Sequence, residues 1–369
     1  MSNIDLYRHG PNRHAQAIID LESIRHNYRL LKQISGDRRL IAVIKADAYG
    51  HGAVEVARAL PQADAFAVAA VGEAVALREA GVEQKILVLG GFIRAQELQT
   101  CIDIRLDPVI HQQTHLDCLR HIPDLNELQV WVKVDTGMGR LGYPLKVVAD
   151  VIDQLDRLLT LGQVRMMTHL ASANDIESPF TDQQIDAVKS LGLDDYEWGV
   201  ANSAGILGWP LAHQNWVRAG IALYGANPLS NRKQAPVDLK PSMQMKTSVL
   251  AVKRQKKGDV IGYSNRFTCP KDMKIAVIAA GYADGYPRHK IETAQVNIHG
   301  QLCDIVGRVS MDMITVDVSG IKSVDVGDQV TLFGESPEAS DLADWSETIA
   351  YEIFCNVGAH VRREYLNKD

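Results

Sequence analysis

Short apolar runs recur between about residue 40 and residue 224, and segments with the 3.6-residue period of amphipathic helices separate them. Eight runs with the character of buried strands can be identified, at 40–45, 65–71, 86–89, 104–109, 130–135, 164–169, 198–201 and 217–223. Strands that alternate with helices build a parallel sheet with helices outside it. The pattern therefore predicts an α/β fold in which eight strands close into a (β/α)₈ TIM-like barrel.

The pattern changes after Tyr224, where Asn, Ser and Pro residues indicate a linker with its boundary near residue 235. Alternating strand patterns separated by turn residues follow, at 243–254, 274–280, 295–299, 301–306, 313–318 and 329–334, and a helix is predicted at 340–355. The sequence therefore predicts two domains, a barrel at 1–235 and a C-terminal, mainly β-strand domain at 236–369.

Composition narrows the class of partner. The chain has 369 residues and a formal net charge of −6, which disfavours binding to nucleic acid or to an anionic membrane. A helical pattern through Ile18, Leu21, Ile24, Tyr28 and Leu31 takes the place of an export signal, and no apolar run approaches the roughly 20 residues needed to span a bilayer. The 5 cysteines lack metal-ligand spacing. We expect a cytoplasmic protein with small-molecule partners and no metal.

Polar side chains enter the predicted barrel strands mainly at their ends: Lys45, Asp135, His169, Asn202, Ser203 and Arg218. One charge at a strand end is ordinarily a solvated cap, but the C-terminal ends of barrel strands meet on one face, where barrel enzymes place their active sites. Lys45 follows five apolar residues, and poor hydration favours the neutral amine that attacks an aldehyde. The alternative is a lysine whose stem lies along the barrel rim while its amine reaches water.

Five separated segments together resemble the alanine racemase family, and the resemblance extends over nearly the whole chain. The segments are A-V-I-K-A-D-A-Y-G-H-G at 42–52, K-V-D-T-G-M-G-R-L-G at 133–142, V-R-A-G-I at 217–221, G-Y-A-D-G-Y at 281–286 and G-R-V-S-M-D at 307–312. The resemblance implies an isomerase that interconverts L-alanine and D-alanine with pyridoxal 5′-phosphate (PLP) held on Lys45. It also implies D-alanine supply for peptidoglycan.

The resemblance implies further cofactor contacts. Tyr49, Asn202, Ser203 and the backbone of Gly220 and Ile221 would surround the phosphate. Arg218 would face the pyridine nitrogen, and an arginine, which stays protonated, can only donate there, so the nitrogen remains unprotonated. His169 would connect Arg218 to the catalytic tyrosine.

Racemisation needs a proton donor or acceptor on each face of the substrate Cα, so one lysine is not sufficient unless it moves. The resemblance implies Tyr282 of the partner subunit as the second base, which makes a homodimer part of the catalytic requirement. It implies that Arg140, Met311 and Asp312 bind the substrate, and Lys133 matches a lysine that is often carbamylated in the family to orient the arginine.

One departure and two alternatives accompany the resemblance. Ala359 stands where some relatives place a phosphate-contacting tyrosine near the C-terminus. A racemase for serine, lysine or arginine shares most of the motifs, and an assay across amino acids separates the two readings. A non-catalytic PLP-homeostasis protein shares the lysine segment but lacks a second domain, so the Tyr282 and Met311 segments argue against it.

Overall fold

The computed structural model describes residues 13–233, 237–289 and 293–368, in two compact units. Of the described residues, 24–233 and 237–240 form one unit, and 13–23 with 241–289 and 293–368 form the other. The domain boundary predicted near residue 235 lies outside the described residues. The first unit contains all eight predicted barrel strands, and the second contains the C-terminal strands together with the first strand of the chain.

The first unit is a closed barrel of eight parallel strands. Its strands are β2 (Arg39–Val43), β3 (Ala65–Val68), β4 (Ile86–Val88), β5 (Asp107–Ile110), β6 (Val130–Asp135), β8 (Val164–Met167), β9 (Glu197–Gly199) and β10 (Trp216–Ala219), with the two-residue β7 (Tyr143–Pro144) beside β6. Each pairs with its neighbours in parallel, and the β5–β6 and β2–β10 pairings complete the ring. The predicted barrel is therefore confirmed.

Helices follow most of the barrel strands, and their buried faces pack on the barrel. They are Leu21–Ser35, Ala53–Ala59, Val71–Glu79, Ala95–Asp103, Gln113–Leu119, Val148–Leu155, Phe180–Lys189 and Ser203–Gly208, of which the first begins in the other unit. The prediction that Ile18 belongs to the first helix is wrong. Ile18 lies in a strand, β1 (Gln16–Asp20), and the helix begins at Leu21, where the Asp20 carboxylate accepts the Glu22 N–H.

The N-terminal end of the barrel is closed by charge and aromatic packing. Glu197 pairs with Arg39, and its Oε2 accepts hydrogen bonds from Arg165 Nε and Trp216 Nε1, each at 2.9 Å. The Arg39 guanidinium lies 4.3 Å from the centre of the Trp216 ring, a cation–π distance. These contacts stabilise the N-terminal end of the barrel, and barrel enzymes place their active sites at the opposite, C-terminal end.

The second unit is mainly β. Its strands are β1, β11 (Met243–Gln255), β12 (Val260–Ile261), β13 (Phe267–Thr268), β14 (Met273–Ile278), β15 (Gln295–Ile298), β16 (Gln301–Asp304), β17 (Ile314–Asp317), β18 (Gln329–Phe333) and β19 (Arg362–Leu366). The sheet runs in the order β16-β15-β18-β11-β1-β19, and β14 joins β11 to β17. The long β11 connects the sheet because it alternates buried and partly buried residues over its first half and pairs with three other strands.

The helix predicted at 340–355 is wrong as a single element. Two helices, Ala339–Trp345 and Ala350–Cys355, occupy that stretch. Glu347 between them has a φ of 54°, and the Thr348 N–H turns back to the Ala343 carbonyl at 3.0 Å. A left-handed residue ends a helix in this way, and no glycine marks the break in the sequence.

Within the described ranges, every helix is too short or too polar to cross a membrane.

Candidate active site

Lys45 follows the end of β2 and starts a left-handed helical turn, Lys45–Tyr49. Ala46, Asp47, Ala48 and Tyr49 all have φ between 52° and 54°. Each L-residue in this conformation costs about 1–2 kcal/mol, and successive non-glycine residues rarely adopt it. Such strain persists only where surrounding contacts enforce it, and it concentrates at functional sites.

Three side chains hold this turn. Glu73 Oε1 accepts the Ala46 N–H at 2.7 Å, and Asp47 Oδ1 accepts the Ala53 N–H at 2.8 Å. The fully buried His51 places Nδ1 at 3.0 and 3.1 Å from the carbonyls of Ala48 and Tyr49, a position that requires an N–H. These contacts fix the strand end that carries Lys45 and bring the Tyr49 ring into the interior, with 5% of the residue exposed.

A second group of residues lies after β9 and β10. The Ser203 Oγ, in a residue only 3% exposed, accepts the N–H groups of Gly220 and Ala222 at 2.8 and 3.3 Å. A Cβ added to Gly220 would stand 2.7 Å from the Tyr49 hydroxyl, so any other residue there would displace the buried tyrosine. Two buried hydroxyls and a bare stretch of backbone therefore meet at one place.

Asn202, predicted as a cofactor contact, has a structural role in the described contacts. Its Oδ1 accepts the Gly205 N–H at 2.9 Å, which caps the helix Ser203–Gly208, and its amide donates to the Leu170 carbonyl at 3.2 Å. Asn202 thereby orients the helix whose first residue is Ser203.

Arg218 is a buried cation at the C-terminal half of β10, with 3% of the residue exposed. Its Nη1 donates to the Gly199 carbonyl at 2.5 Å, and its Nη2 donates to the Thr168 carbonyl at 2.7 Å. Burial lowers the pKa of Arg218 to about 10, so the guanidinium stays charged near neutrality. His169 Nδ1 lies 3.5 Å from Arg218 Nη2, and a guanidinium can only donate, so this ring nitrogen is the acceptor.

Four cations act on a common region of the barrel unit. Burial lowers the pKa of His169 well below its usual value, and the charges of Arg218, Lys133, Arg140 and Lys45 lower it further. Burial also lowers the pKa of Lys133 to about 8, and Arg218, Arg140 and Lys45 reinforce that shift, with Asp135 opposing it. His169 is therefore neutral at neutral pH, and this concentration of positive charge favours anionic ligands.

The β unit brings its own two predicted segments together. The N–H groups of Tyr282 and Ala283 donate to the carbonyls of Ser310 and Met311 at 3.1 and 3.0 Å. A Cβ on Gly281 would lie 2.2 Å from the Ser310 carbonyl oxygen, so the close approach requires glycine. Tyr282 and Met311 are 39% and 54% exposed.

Arg13 spans both segments of the β unit and was missed by sequence reasoning. Its guanidinium contacts the carboxylates of Asp284 and Asp312, and these partners raise its pKa. The Asp284 side chain is fully buried, and it also accepts the Gly281 N–H at 3.0 Å. His360, next to Ala359, places Nε2 3.4 Å from Asp284 Oδ1.

The predicted site residues therefore fall into two groups, one in each unit. The barrel unit brings together the four cations, His169 and the Tyr49–Ser203–Gly220 cluster, and the β unit brings together Tyr282, Met311 and Asp312. The roles of Glu73, Gln184 and Arg13 were missed because each contacts a backbone group or a carboxylate at least 15 residues away in the sequence. His51 was missed because its contacts with the nearby carbonyls of Ala48 and Tyr49 depend on the left-handed turn. Among the residues that the structure describes, no group of three or more His, Cys, Asp or Glu side chains could hold a metal ion.

Comparison with known proteins agrees with this division of residues. The family model described as "Alanine racemase, N-terminal domain" matches residues 19–228, and "Alanine racemase, C-terminal domain" matches residues 242–365. An alanine racemase of Hahella chejuensis is 41% identical to the chain, and the match covers 96% of this chain and 99% of the relative.

Solved structures resemble the whole chain as well. The biosynthetic alanine racemase of Pseudomonas aeruginosa superimposes with a TM-score of 0.91 at 36% identity, covering 96% of this chain and 100% of that chain. The alanine racemase of Bartonella henselae, solved with covalently bound pyridoxal phosphate, superimposes with a TM-score of 0.86 at 29% identity, covering 96% of this chain and 99% of that chain.

Proposed function

Because the chain belongs to the alanine racemase family, whose activity makes it an isomerase acting on amino acids, we propose that it interconverts L-alanine and D-alanine with PLP held on Lys45. The observation that carries the proposal is the concentration of Lys45, Lys133, Arg140 and Arg218 around His169, near the C-terminal ends of the barrel strands. Arg140 and Arg218 would keep their positive charges when Lys45 holds PLP and Lys133 is carbamylated. A phosphate-bearing cofactor and an amino-acid carboxylate both supply the negative charge that such a region favours.

The residues present fit the proposed cofactor. The Tyr49 and Ser203 hydroxyls and the backbone around Gly220 and Ile221 would hold the phosphate, because a Cβ at residue 220 would fill the space beside Tyr49. Arg218 would face the pyridine nitrogen as a donor, with its charge retained despite burial. PLP would serve as an electron sink: once the substrate amine has replaced the lysine on the cofactor, the substrate Cα–H would be acidic enough to be removed.

The protein's own groups would then move the proton. We propose Lys45 as the acid and base on one face of the substrate Cα and Tyr282 of the partner subunit on the other. The neutral His169 accepts from Arg218 at Nδ1 and so carries its proton on Nε2, where it would donate to the Tyr282 oxygen. That donor would favour the phenolate form of the tyrosine.

Substrate binding completes the proposal. Arg140 would pair with the alanine carboxylate, and Lys133, carbamylated, would orient Arg140 through its new negative charge. The Met311 N–H and Asp312 would shape the pocket from the partner subunit. Their exposure in a single chain is consistent with a surface that a second copy covers.

The proposal includes a homodimer located in the cytoplasm and D-alanine supply for peptidoglycan. Purified protein incubated with L-alanine, with and without added PLP, should form D-alanine, and the reverse reaction should form L-alanine. Faster racemisation of serine, lysine or arginine would identify the broader racemase. Binding of PLP without racemisation of any amino acid would identify the homeostasis protein and overturn the proposal.

A further inference from the structure

Gln184 lies on the helix Phe180–Lys189 that follows β8, and its residue is fully buried. The side-chain amide makes three hydrogen bonds. Its Nε2 donates to Thr136 Oγ1 at 3.0 Å and to the His169 carbonyl at 3.1 Å, and its Oε1 accepts the Ala171 N–H at 2.8 Å. A buried amide with both donated protons used is a rigid connector, because any rotation leaves a polar group unpaired.

The bond to Thr136 begins a chain with a defined direction. The Thr168 hydroxyl donates its one proton to the Val134 carbonyl at 2.9 Å. In the 2.8 Å contact between Thr168 Oγ1 and Thr136 Oγ1, Thr136 must therefore be the donor and Thr168 the acceptor. Protons are therefore donated from Gln184 to Thr136, from Thr136 to Thr168, and from Thr168 to β6. The backbone pairing of β6 with β8 ends at Lys133 opposite Met167. The hydrogen bond from the Thr168 side chain to the Val134 carbonyl connects the two strands one residue further along.

The bond to His169 fixes the other side of the region. Arg218 Nη2 holds the Thr168 carbonyl at 2.7 Å while Gln184 holds the next carbonyl, that of His169. Two consecutive peptide groups are thus each held by a buried side chain. The histidine ring, whose Nδ1 lies 3.5 Å from Arg218, is oriented by the backbone that Gln184 restrains.

Thr136 also begins the turn that leads to Arg140. The Asp135 carboxylate closes this turn, because its Oδ1 accepts the N–H groups of Gly137 and Gly139, each at 3.0 Å. Thr136 lies between Asp135 and Gly137 in the chain. Gln184 therefore connects the strand end that carries His169 to the strand end that precedes Arg140.

We propose that Gln184 is a positioning residue for racemisation: through Thr136 and the His169 carbonyl, its amide holds the proton-handling and substrate-binding ends of β8 and β6 in register. This inference rests on the proposed function. The amide touches neither substrate nor cofactor, and a displacement of about 1 Å at a reacting group can lower a rate by about 100-fold.

Gln184→Met keeps the volume of the side chain and removes its three hydrogen bonds. We expect kcat/KM for alanine to fall by about 100-fold, with most of the loss in kcat, because positioning acts on the reacting geometry. Gln183→Met is the matched control, since Gln183 is an exposed neighbour on the same helix, and it should keep wild-type kinetics.

Thr136→Val tests the connection without altering residue 184. If the two residues act as one chain, Gln184→Met and Thr136→Val together should lower kcat/KM about as much as Gln184→Met alone, and Thr136→Ser should restore activity. If the losses in kcat/KM of the two variants multiply in the double variant, or if Thr136→Ser does not restore activity, the hydrogen-bonded chain is contradicted and Gln184 acts only through packing.

A third measurement uses the protein without cofactor or substrate. The titration of the His169 ring can be followed by NMR in histidine-labelled protein. Burial, together with the charges of Arg218, Lys133, Arg140 and Lys45, opposes protonation of this ring. In Gln184→Met the ring should gain water and titrate at higher pH than in the wild type. An unchanged titration together with unchanged kinetics in a folded variant overturns the inference, whereas a wild-type protein that racemises no amino acid overturns the proposed function instead.

Discussion

Arg13 Nε lies 2.6 Å from Asp284 Oδ1, although 271 residues separate the two positions. The carboxylate is completely buried, and the same guanidinium reaches Asp312 in the other segment of the β unit. Burying a charged group costs the free energy of its hydration, so a buried carboxylate needs partners that compensate for this loss. Arg13 is therefore the counter-charge on which the geometry around Tyr282 depends.

Arg13→Met should destabilise the protein by about 1–3 kcal/mol, because the buried Asp284 carboxylate loses its arginine but keeps the Gly281 N–H. The measurement is the free energy of unfolding in urea. Arg13→Met combined with Asp284→Asn should recover part of the loss, since the amide carries no charge. The exposed Arg157 offers a control, and an Arg157→Met variant as unstable as Arg13→Met would contradict this explanation.

Lys45→Ala should remove the visible absorbance that bound PLP gives the wild-type protein. Borohydride reduction of the wild type followed by peptide mapping should add the cofactor mass to the peptide that contains Lys45. Lys146→Ala, a change at an exposed lysine, should keep the absorbance. Visible absorbance retained in the Lys45 variant would show that another amine holds the cofactor.

Lys133 should react with carbon dioxide more readily than an ordinary lysine, because only the neutral amine forms a carbamate. Burial and three nearby cations lower its pKa to about 8. At pH 7.4 about a fifth of the side chain is then neutral, against about a thousandth for a lysine with the reference pKa. NMR with ¹³C-bicarbonate should show a protein carbamate that decreases below pH 7 and disappears in Lys133→Ala.

The same lowered pKa makes a stability prediction with a definite sign. Between about pH 8 and the ordinary lysine pKa, the unfolded chain binds more protons at this position than the native one. In protein kept free of carbon dioxide, the contribution of Lys133 to the free energy of unfolding should therefore rise with pH across this range, and Lys133→Met should flatten the rise. An equal slope in both proteins would contradict the assigned pKa.

The barrel could be predicted because its strands are mostly apolar, with few charged residues such as Asp107 in β5 and Arg165 in β8, as expected where both faces of a strand are buried. Lys45, His169 and Ser203 could be proposed as site residues because they lie at or just after the ends of apolar runs, and Arg218 because it is a charge inside one. The left-handed turn at Lys45–Tyr49 could not be predicted, since its residues are alanine, aspartate and tyrosine, and tertiary contacts from Glu73 and His51 impose it. Strand β1 was missed because its partners β11 and β19 lie more than 200 residues away.

Gln184 illustrates a second limit. In the sequence it is one of two adjacent glutamines on an amphipathic helix, and only the fold shows that one faces the strand ends while the other faces water. A spacing of fifteen residues from His169 carries no chemical signal by itself. Residues that act by holding backbone groups are therefore the part of a site that sequence motifs reveal least.

Tyr282→Phe should slow proton exchange at one face of the substrate more than at the other, while cofactor binding stays as in the wild type. The measurement is the loss of deuterium from α-deuterated L-alanine and D-alanine in water. Tyr286→Phe is the matched control, because the Tyr286 hydroxyl is buried and makes no hydrogen bond among the described residues. Equal rates for both enantiomers at wild-type values in Tyr282→Phe would exclude the tyrosine as a base.

A mixed dimer tests whether the tyrosine comes from the second copy. On the proposed mechanism, Lys45→Ala and Tyr282→Phe homodimers should each be nearly inactive, because every site lacks one of the two proposed bases. After dissociation and random reassociation about half of the dimers contain both variants, and each pairs one intact barrel with an intact tyrosine from the other chain. Activity should then return to about a quarter of the wild-type value, since one site in four is complete. If each chain supplied both bases to its own site, every chain would remain defective and mixing would restore nothing.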